Sequence, residues 1–121
     1  AEDLVARHQA MALLQNTELL AHDLQGFEGQ FDIIINGTAS SLGGHGVPVD
    51  AHVMKPGALA YDMMYGAGAQ GFMAWARSHG AVPRDGLGML VGQAAEAFLI
   101  WRGVMPPARQ VLDELRARLG A

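Results

Sequence analysis

The strongest hydrophobic signal in the chain lies in its last third. From Gly86 to Arg102 apolar residues occupy every side of a helical wheel, with Leu87, Met89, Leu90, Val91, Phe98, Leu99, Ile100 and Trp101. This pattern predicts a helix buried on most sides, opened by Asp85 as N-cap and closed by Gly103. Pro106 and Pro107 predict the start of a second helix over 106–119, with Val111, Leu112, Leu115 and Leu119 on one stripe. Its charged residues, Arg109, Asp113, Glu114, Arg116 and Arg118, point mostly elsewhere.

Two upstream runs read as strands. Phe31-Asp32-Ile33-Ile34-Ile35-Asn36 is rich in β-branched residues and nearly continuous, the pattern of a parallel strand covered on both faces. Ala58 to Tyr65 repeats it after a turn at Lys55-Pro56-Gly57. Between them, Gly37 to Asp50 predicts a long loop of the kind that carries function. Ala1 to Gln15 predicts a helix without a side-chain N-cap, Thr17 to Leu20 a weak strand, and Asp23 to Gln30 a loop or helical turn. Phe72 to His79 predicts a helix closed by Gly80, and Ala81 to Pro83 a very short strand. Helices alternating with buried strands imply an α/β fold around a parallel sheet.

Composition changes this picture in one respect. Hydrophobic residues make up 50% of the 121 residues and charged residues only 17%, against roughly 25% charged in an average globular protein. A small domain leaves much of its surface exposed, so the excess predicts faces made to be covered by other polypeptide. Together with Ala at position 1, it predicts a piece of a longer protein. Absence of cysteine excludes a disulfide framework and a thiolate metal site. A formal charge of -4, with 8 scattered Lys and Arg, lacks the basic footprint of a nucleic-acid binder. No apolar run reaches the roughly 20 residues of a membrane span, and the start lacks signal-peptide order. A cytoplasmic protein is the expectation.

In parallel α/β sheets ligands sit at the carboxyl ends of strands, which directs attention to Asn36–Ser41, Met63–Tyr65 and Asp85–Gln93. Gly86 and Gln93 lie two helical turns apart and share a face, with Met89 or Leu90 between them. Gln93 in an apolar helix calls for a hydrogen-bond partner, either backbone in the core or a ligand. Gly66-Ala67-Gly68-Ala69-Gln70-Gly71 matches the dinucleotide fingerprint G-x-G-x-x-G. With 16 glycines in the chain and Asp62 and two methionines in the strand before it, the match reads as a decoy. No two histidines stand at the i, i+4 spacing of a helical metal pair with a nearby carboxylate, so no metal is expected. Ser40 and Ser41 lack the context of a nucleophile elbow. Met63, Met64 and Met89 are by default core fillers.

Three stretches together resemble a known family. Asp32-Ile33-Ile34-Ile35-Asn36-Gly37-Thr38, Tyr61-Asp62-Met63-Met64-Tyr65 and the run from Asp85 to Phe98 resemble, in order and spacing, the C-terminal half of shikimate dehydrogenases. The resemblance runs over nearly the whole chain and implies one partial domain over 1–121. That domain would be most of a Rossmann-like NADP-binding domain, lacking its first two strands and ending in helices at about 86–102 and 106–119. It implies NADPH-dependent reduction of 3-dehydroshikimate to shikimate. It further implies that Asn36, Gly37, Thr38, Ala39, Met63, Gly86 and Met89 meet the cofactor, and that Tyr65 and Gln93 hydrogen-bond the substrate. No catalytic residue is implied within the chain, because the Lys and Asp of proton transfer belong to the family's N-terminal domain. The family's own glycine loop and the Asn-Arg-Thr motif that grips the adenosine 2′-phosphate are likewise expected upstream, and Gly37 stands where Ala is common. Related readings are a quinate/shikimate dehydrogenase, or a non-catalytic α/β module that binds a nucleotide or a partner.

The resemblance has a physical consequence. In the strand order 3-2-1-4-5-6 the strand at Phe31–Asn36 sits beside the absent first strand, and so becomes a bare edge. Bare apolar edges pair with other chains, so the 121 residues alone are expected to self-associate and to be inactive.

Overall fold

The computed structural model describes residues 1–38, 47 and 49–120. Three parallel strands form one sheet in the order β1 (Phe31–Asn36), β2 (Met54–Asp62), β3 (Val82–Arg84). Helix α1 (Glu2–Leu14) precedes the sheet, α2 (Gln70–Ser78) links β2 to β3, and α3 (Leu87–Arg102) and α4 (Ala108–Leu119) close the chain. This is the incomplete α/β architecture expected from the alternation of elements.

The core lies where β2 meets α2. Val53, Met54, Ala58, Ala60, Phe72, Ala76 and Ala81 are buried together, with Ile34, Phe27 and Trp75 packed on the cluster. Alternation along β2 brings Ala58, Ala60 and Asp62 into cover, and the small alanines leave room for the Phe72 ring. β2 begins earlier than its hydrophobic run. Lys55-Pro56-Gly57 is an irregularity inside the strand, between the pairs Phe31↔Met54 and Ile33↔Leu59. Gly57 takes φ +78° there and donates its N–H to the Gly80 carbonyl at 3.0 Å. The strand also stops at Asp62, three residues short of Tyr65, because the next residues turn away toward a 3-10 turn at Gly66–Ala69.

β1 corrects the expectation of a strand covered on both faces. Ile34 is half-buried, but Ile33 and Ile35 are 58% and 65% exposed. β1 is an edge with β2 as its one neighbour, and nothing among the described residues covers its other face. The expected strand at Thr17–Leu20 is also absent. A strand needs a ladder partner for its backbone groups, and no described strand lies beside it. α1 forms as expected, with Glu2 and Asp3 favouring its N-terminus, yet it buries only Ala12 and leaves Leu13 and Leu14 exposed.

Residues 17–30 are tied to the sheet by one histidine. His52 Nε2 lies 2.7 Å from the Phe27 carbonyl and Nδ1 lies 2.9 Å from Asp50 Oδ1. With an acceptor on each ring nitrogen the imidazolium is favoured, and the Asp50 hydrogen bond foremost raises the His52 pKa above its ordinary value. The His52 backbone N–H, 2.9 Å from Asp50 Oδ1, leads the lowering of the Asp50 pKa. Gln30 Nε2 adds a second contact by donating to the His52 carbonyl at 3.3 Å, while the exposed Lys55–Asp32 pair at 2.8 Å joins β2 to β1.

α3 is less enclosed than its all-round apolar pattern predicts. Leu87, Val91 and Ala95 form its buried stripe, while Ile100 and Trp101 are almost fully exposed. α4 covers one side of it. Leu90, Ala94 and Phe98 line a cleft with Val111 and Leu115, and no residue of α4 is itself buried.

Candidate functional site

The carboxyl ends of β1 and β2 meet the start of α3 in a single hydrogen-bonded shelf. The Asn36 carbonyl accepts the Met63 N–H at 3.0 Å, so the parallel ladder runs one residue beyond β2. Asn36 Oδ1 accepts both the N–H of Thr38 at 3.1 Å and its hydroxyl at 2.8 Å, which turns the chain sharply after β1. Asp62 makes the matching turn after β2, its Oδ1 accepting the Met64 N–H at 2.9 Å. The Met64 carbonyl then accepts the Gly86 N–H at 2.8 Å, joining the head of α3 to the shelf.

Gly86 is required by this close approach. A Cβ there would lie 2.6 Å from the Met63 carbonyl carbon and 3.1 Å from the Asp62 carbonyl oxygen, closer than fixed backbone atoms tolerate. Gly37 is less constrained, since its Cβ would lie 3.3 Å from Met63 Sδ, the end of a flexible side chain. The shelf thus gathers Asn36, Gly37, Thr38, Met63 and Gly86. Ala39 lies outside the described residues.

Several of the candidates are open to solvent. Met63 is 45% exposed, Tyr65 42% and Met89 36%, so Met63 and Met89 are not the core fillers that their chemistry suggests by default. Gln93 is exposed on the second turn of α3. The expectation of a buried amide that must be paired is therefore corrected, because the covering layer on that face of α3 is not supplied by the described residues. Among those residues neither the Tyr65 nor the Gln93 side chain makes a hydrogen bond, which leaves both open to an incoming polar group.

Sequence reasoning missed the roles of two carboxylates. Asp62 is fully buried, and its Oδ2 has no hydrogen-bond partner among the described residues. A buried oxygen without a donor costs about 1–3 kcal/mol, here borne where Met63 and Met64 are presented. Its signal was an acid inside an apolar strand. Asp85 does not cap α3. Gly86 holds the N-cap position without a side-chain cap, and the buried Asp85 carboxylate instead pairs with Arg116 of α4 at 3.2 Å. Spacing along the sequence could not show a partner 31 residues away.

The G-x-G-x-x-G match is also explained. Gly66 takes φ +59° at the head of the 3-10 turn, but a Cβ at Gly71 would meet nothing within 4 Å. The fingerprint needs its third glycine for close helix–strand packing, and Gly71 has no such duty. An apolar groove of about 490 Å³ lies between residues 18–24 and β1, lined by Leu19, Leu24, Phe27 and Phe31, and contains none of the candidate residues. No metal-binding group of three or more His, Asp or Glu occurs among the described residues, nor any helix long and apolar enough to cross a membrane.

Strand ends converging on a helix that starts at a tightly packed glycine define the class: a parallel α/β domain of Rossmann-like type. Comparison with known proteins narrows it. Residues 86–116 match the family described as the shikimate 5′-dehydrogenase C-terminal domain. The chain is 64% identical over 121 residues to a shikimate dehydrogenase (NADP(+)) of Acidovorax ebreus (strain TPSY), covering 100% of the chain and 43% of the relative. It is 62% identical over 116 residues to that of Verminephrobacter eiseniae (strain EF01-2), covering 96% of the chain and 40% of the relative. It also resembles the crystal structure of an Ael1 enzyme from Pseudomonas putida, with TM-score 0.64 and 39% identity, covering 92% of this chain and 42% of that one. The chain belongs to the shikimate dehydrogenase family as a C-terminal portion, and spans about 43% of the length of the first of these relatives.

Proposed function

We propose that residues 1–121 form the C-terminal part of the NADP-binding domain of a cytoplasmic shikimate dehydrogenase, which interconverts 3-dehydroshikimate and shikimate. The closing helices, about 86–102 and 106–119, belong to that domain in this reading. The observation that carries it is the Gly86 cradle, where the head of α3 presses on the Met63 carbonyl and leaves the Met63 side chain 45% exposed beside it. This low wall of backbone and thioether suits the face of a planar nicotinamide. Asn36, Gly37, Thr38 and Ala39 would line the cofactor from the end of β1, with Met63, Gly86 and Met89 around the ring. NADP bound there would supply the hydride donor or acceptor.

The chain's own contribution is to hold and orient. Tyr65 and Gln93, exposed and without partners in the described chain, would hydrogen-bond the substrate and fix its reacting carbon over the ring. The Lys and Asp of proton transfer and the grip on the 2′-phosphate lie in the part of the enzyme outside these residues. The chain alone is therefore expected to be inactive, and to self-associate through the bare β1 edge; a monodisperse monomer in light scattering would contradict the latter.

The test joins these 121 residues to the N-terminal part of the Acidovorax ebreus relative and follows NADPH formation with shikimate and with quinate. Turnover on shikimate is expected, with Tyr65→Phe and Gln93→Ala each raising KM for shikimate about tenfold or more and leaving KM for NADP+ within about twofold. A folded chimera that turns over neither substrate would sink the proposal.

A further inference from the structure

The mechanism above makes no use of the most buried ion pair among the described residues. Asp85 has a side chain only 4% exposed and precedes Gly86 directly, while its partner Arg116 comes from the last helix at 3.2 Å and is itself 38% exposed. A buried carboxylate holds its place only when its charge is compensated, so the guanidinium fixes where Asp85, and hence the backbone at Gly86, can lie. That backbone donates the Gly86 N–H to Met64 and lets the Gly86 Cα rest against the Met63 carbonyl. The link therefore runs from α4 through Asp85 to the β2 side of the shelf.

We propose that Arg116 is a positioning residue: by neutralising the buried Asp85 it holds Gly86 against Met63 and so sets the wall on which the nicotinamide lies. This rests on the cofactor assignment above. Arg116 lies on the outermost helix and does not belong to the shelf, so it acts on the reaction only through Asp85 and Gly86. Displacing a reacting group by a fraction of an ångström to one ångström lowers turnover by up to about a hundredfold, and the grip on the cofactor's 2′-phosphate lies elsewhere. Loss of the pair should thus lower kcat far more than it raises KM for NADP+.

The test uses the full-length enzyme carrying this chain, with variants Arg116→Met, Arg116→Lys and the double variant Asp85→Asn/Arg116→Met. Amide hydrogen exchange without cofactor is the first readout. Arg116→Met is expected to speed exchange at Gly86 and Met63 by about tenfold or more, with the amides of β1 and β2 unchanged, and Arg116→Lys to restore most of the protection. In parallel, kcat should fall about tenfold or more in Arg116→Met, with KM for NADP+ within about twofold, and recover in Arg116→Lys. If Arg116→Met fails to fold, the double variant decides, since it removes both charges and leaves no unpaired carboxylate. Local loss of protection at Gly86 in the folded double variant supports the proposal; unchanged protection and kcat within about twofold overturn it. Should the enzyme prove inert toward shikimate, the cofactor assignment fails while the exchange result still judges the Asp85–Arg116 latch.

Discussion

The segment from Met54 to Arg102 and the first thirty residues are both rich in apolar side chains but do not share the same fate. In the first, Ala58 and Ala60 meet Phe72 and Ala76, and the chain just past the strand end is bound to Gly86 by a backbone hydrogen bond. In the second, α1 buries Ala12 alone, Leu14 stands 81% exposed, and Thr17–Leu20 forms no strand. Both are patterned for burial. Only one of them has its neighbours among the described residues, and pattern becomes structure where a partner is present.

Substitutions can press on this difference. In the 121-residue chain, Phe72→Ala should cost about 3–5 kcal/mol in urea denaturation, and Leu14→Ala less than about 0.5 kcal/mol. If Leu14→Ala costs as much as Phe72→Ala there, α1 is packed after all; if it becomes costly only in the full-length enzyme, the missing neighbours cover it. A smaller effect separates two glycines. Gly86→Ala should destabilise by about 1–3 kcal/mol and depress turnover, because its methyl meets fixed backbone. Gly71→Ala, in open space on α2, should stabilise by about 0.5–1 kcal/mol and leave cofactor affinity unchanged. Reduced affinity in Gly71→Ala would revive the fingerprint at Gly66–Gly71.

The smallest effect concerns the tie on residues 17–30. The Asp50 pKa is lowered from 3.8, so its contribution is present above about that pH and is lost on acidification through the lower folded value. The His52 pKa is raised from 6.5, so its contribution is complete below that pH and is lost as pH rises through the higher folded value. Protection of the Phe27 region in hydrogen exchange should be greatest between these limits and fall on the alkaline side. His52→Gln should flatten the alkaline fall, and an unchanged profile would show that the imidazolium is not the tie.

Much of the framework was legible. α1, β1, α3 and α4 appear within a residue or two of the limits that periodicity predicts, and the pattern of strands and glycines points to the strand ends and Gly86. What could not be read depended on distant partners. Asp85 looked like a cap because its neighbours in sequence form a helix, whereas its charge is met by Arg116 from α4. Ile33 and Ile35 looked enclosed because a β-branched run reports how buried a strand is meant to be in the finished protein, not what this length of chain can cover. Asp62 was visible as an anomaly, but its turn-forming bond to Met64 needed the fold.

The two margins of the sheet are unlike. β3 carries Pro83, which has no N–H to offer, flanked by the exposed Arg84, so that margin is a poor template for another strand. β1, at the other margin, has no proline and keeps every backbone N–H, and its one charge, Asp32, is already paired with Lys55. A body with one adhesive side and one inert side can add a single partner and then has nothing left to give. Copies of this chain joined through β1 would therefore close as a two-fold pair and stop, rather than grow into a fibre.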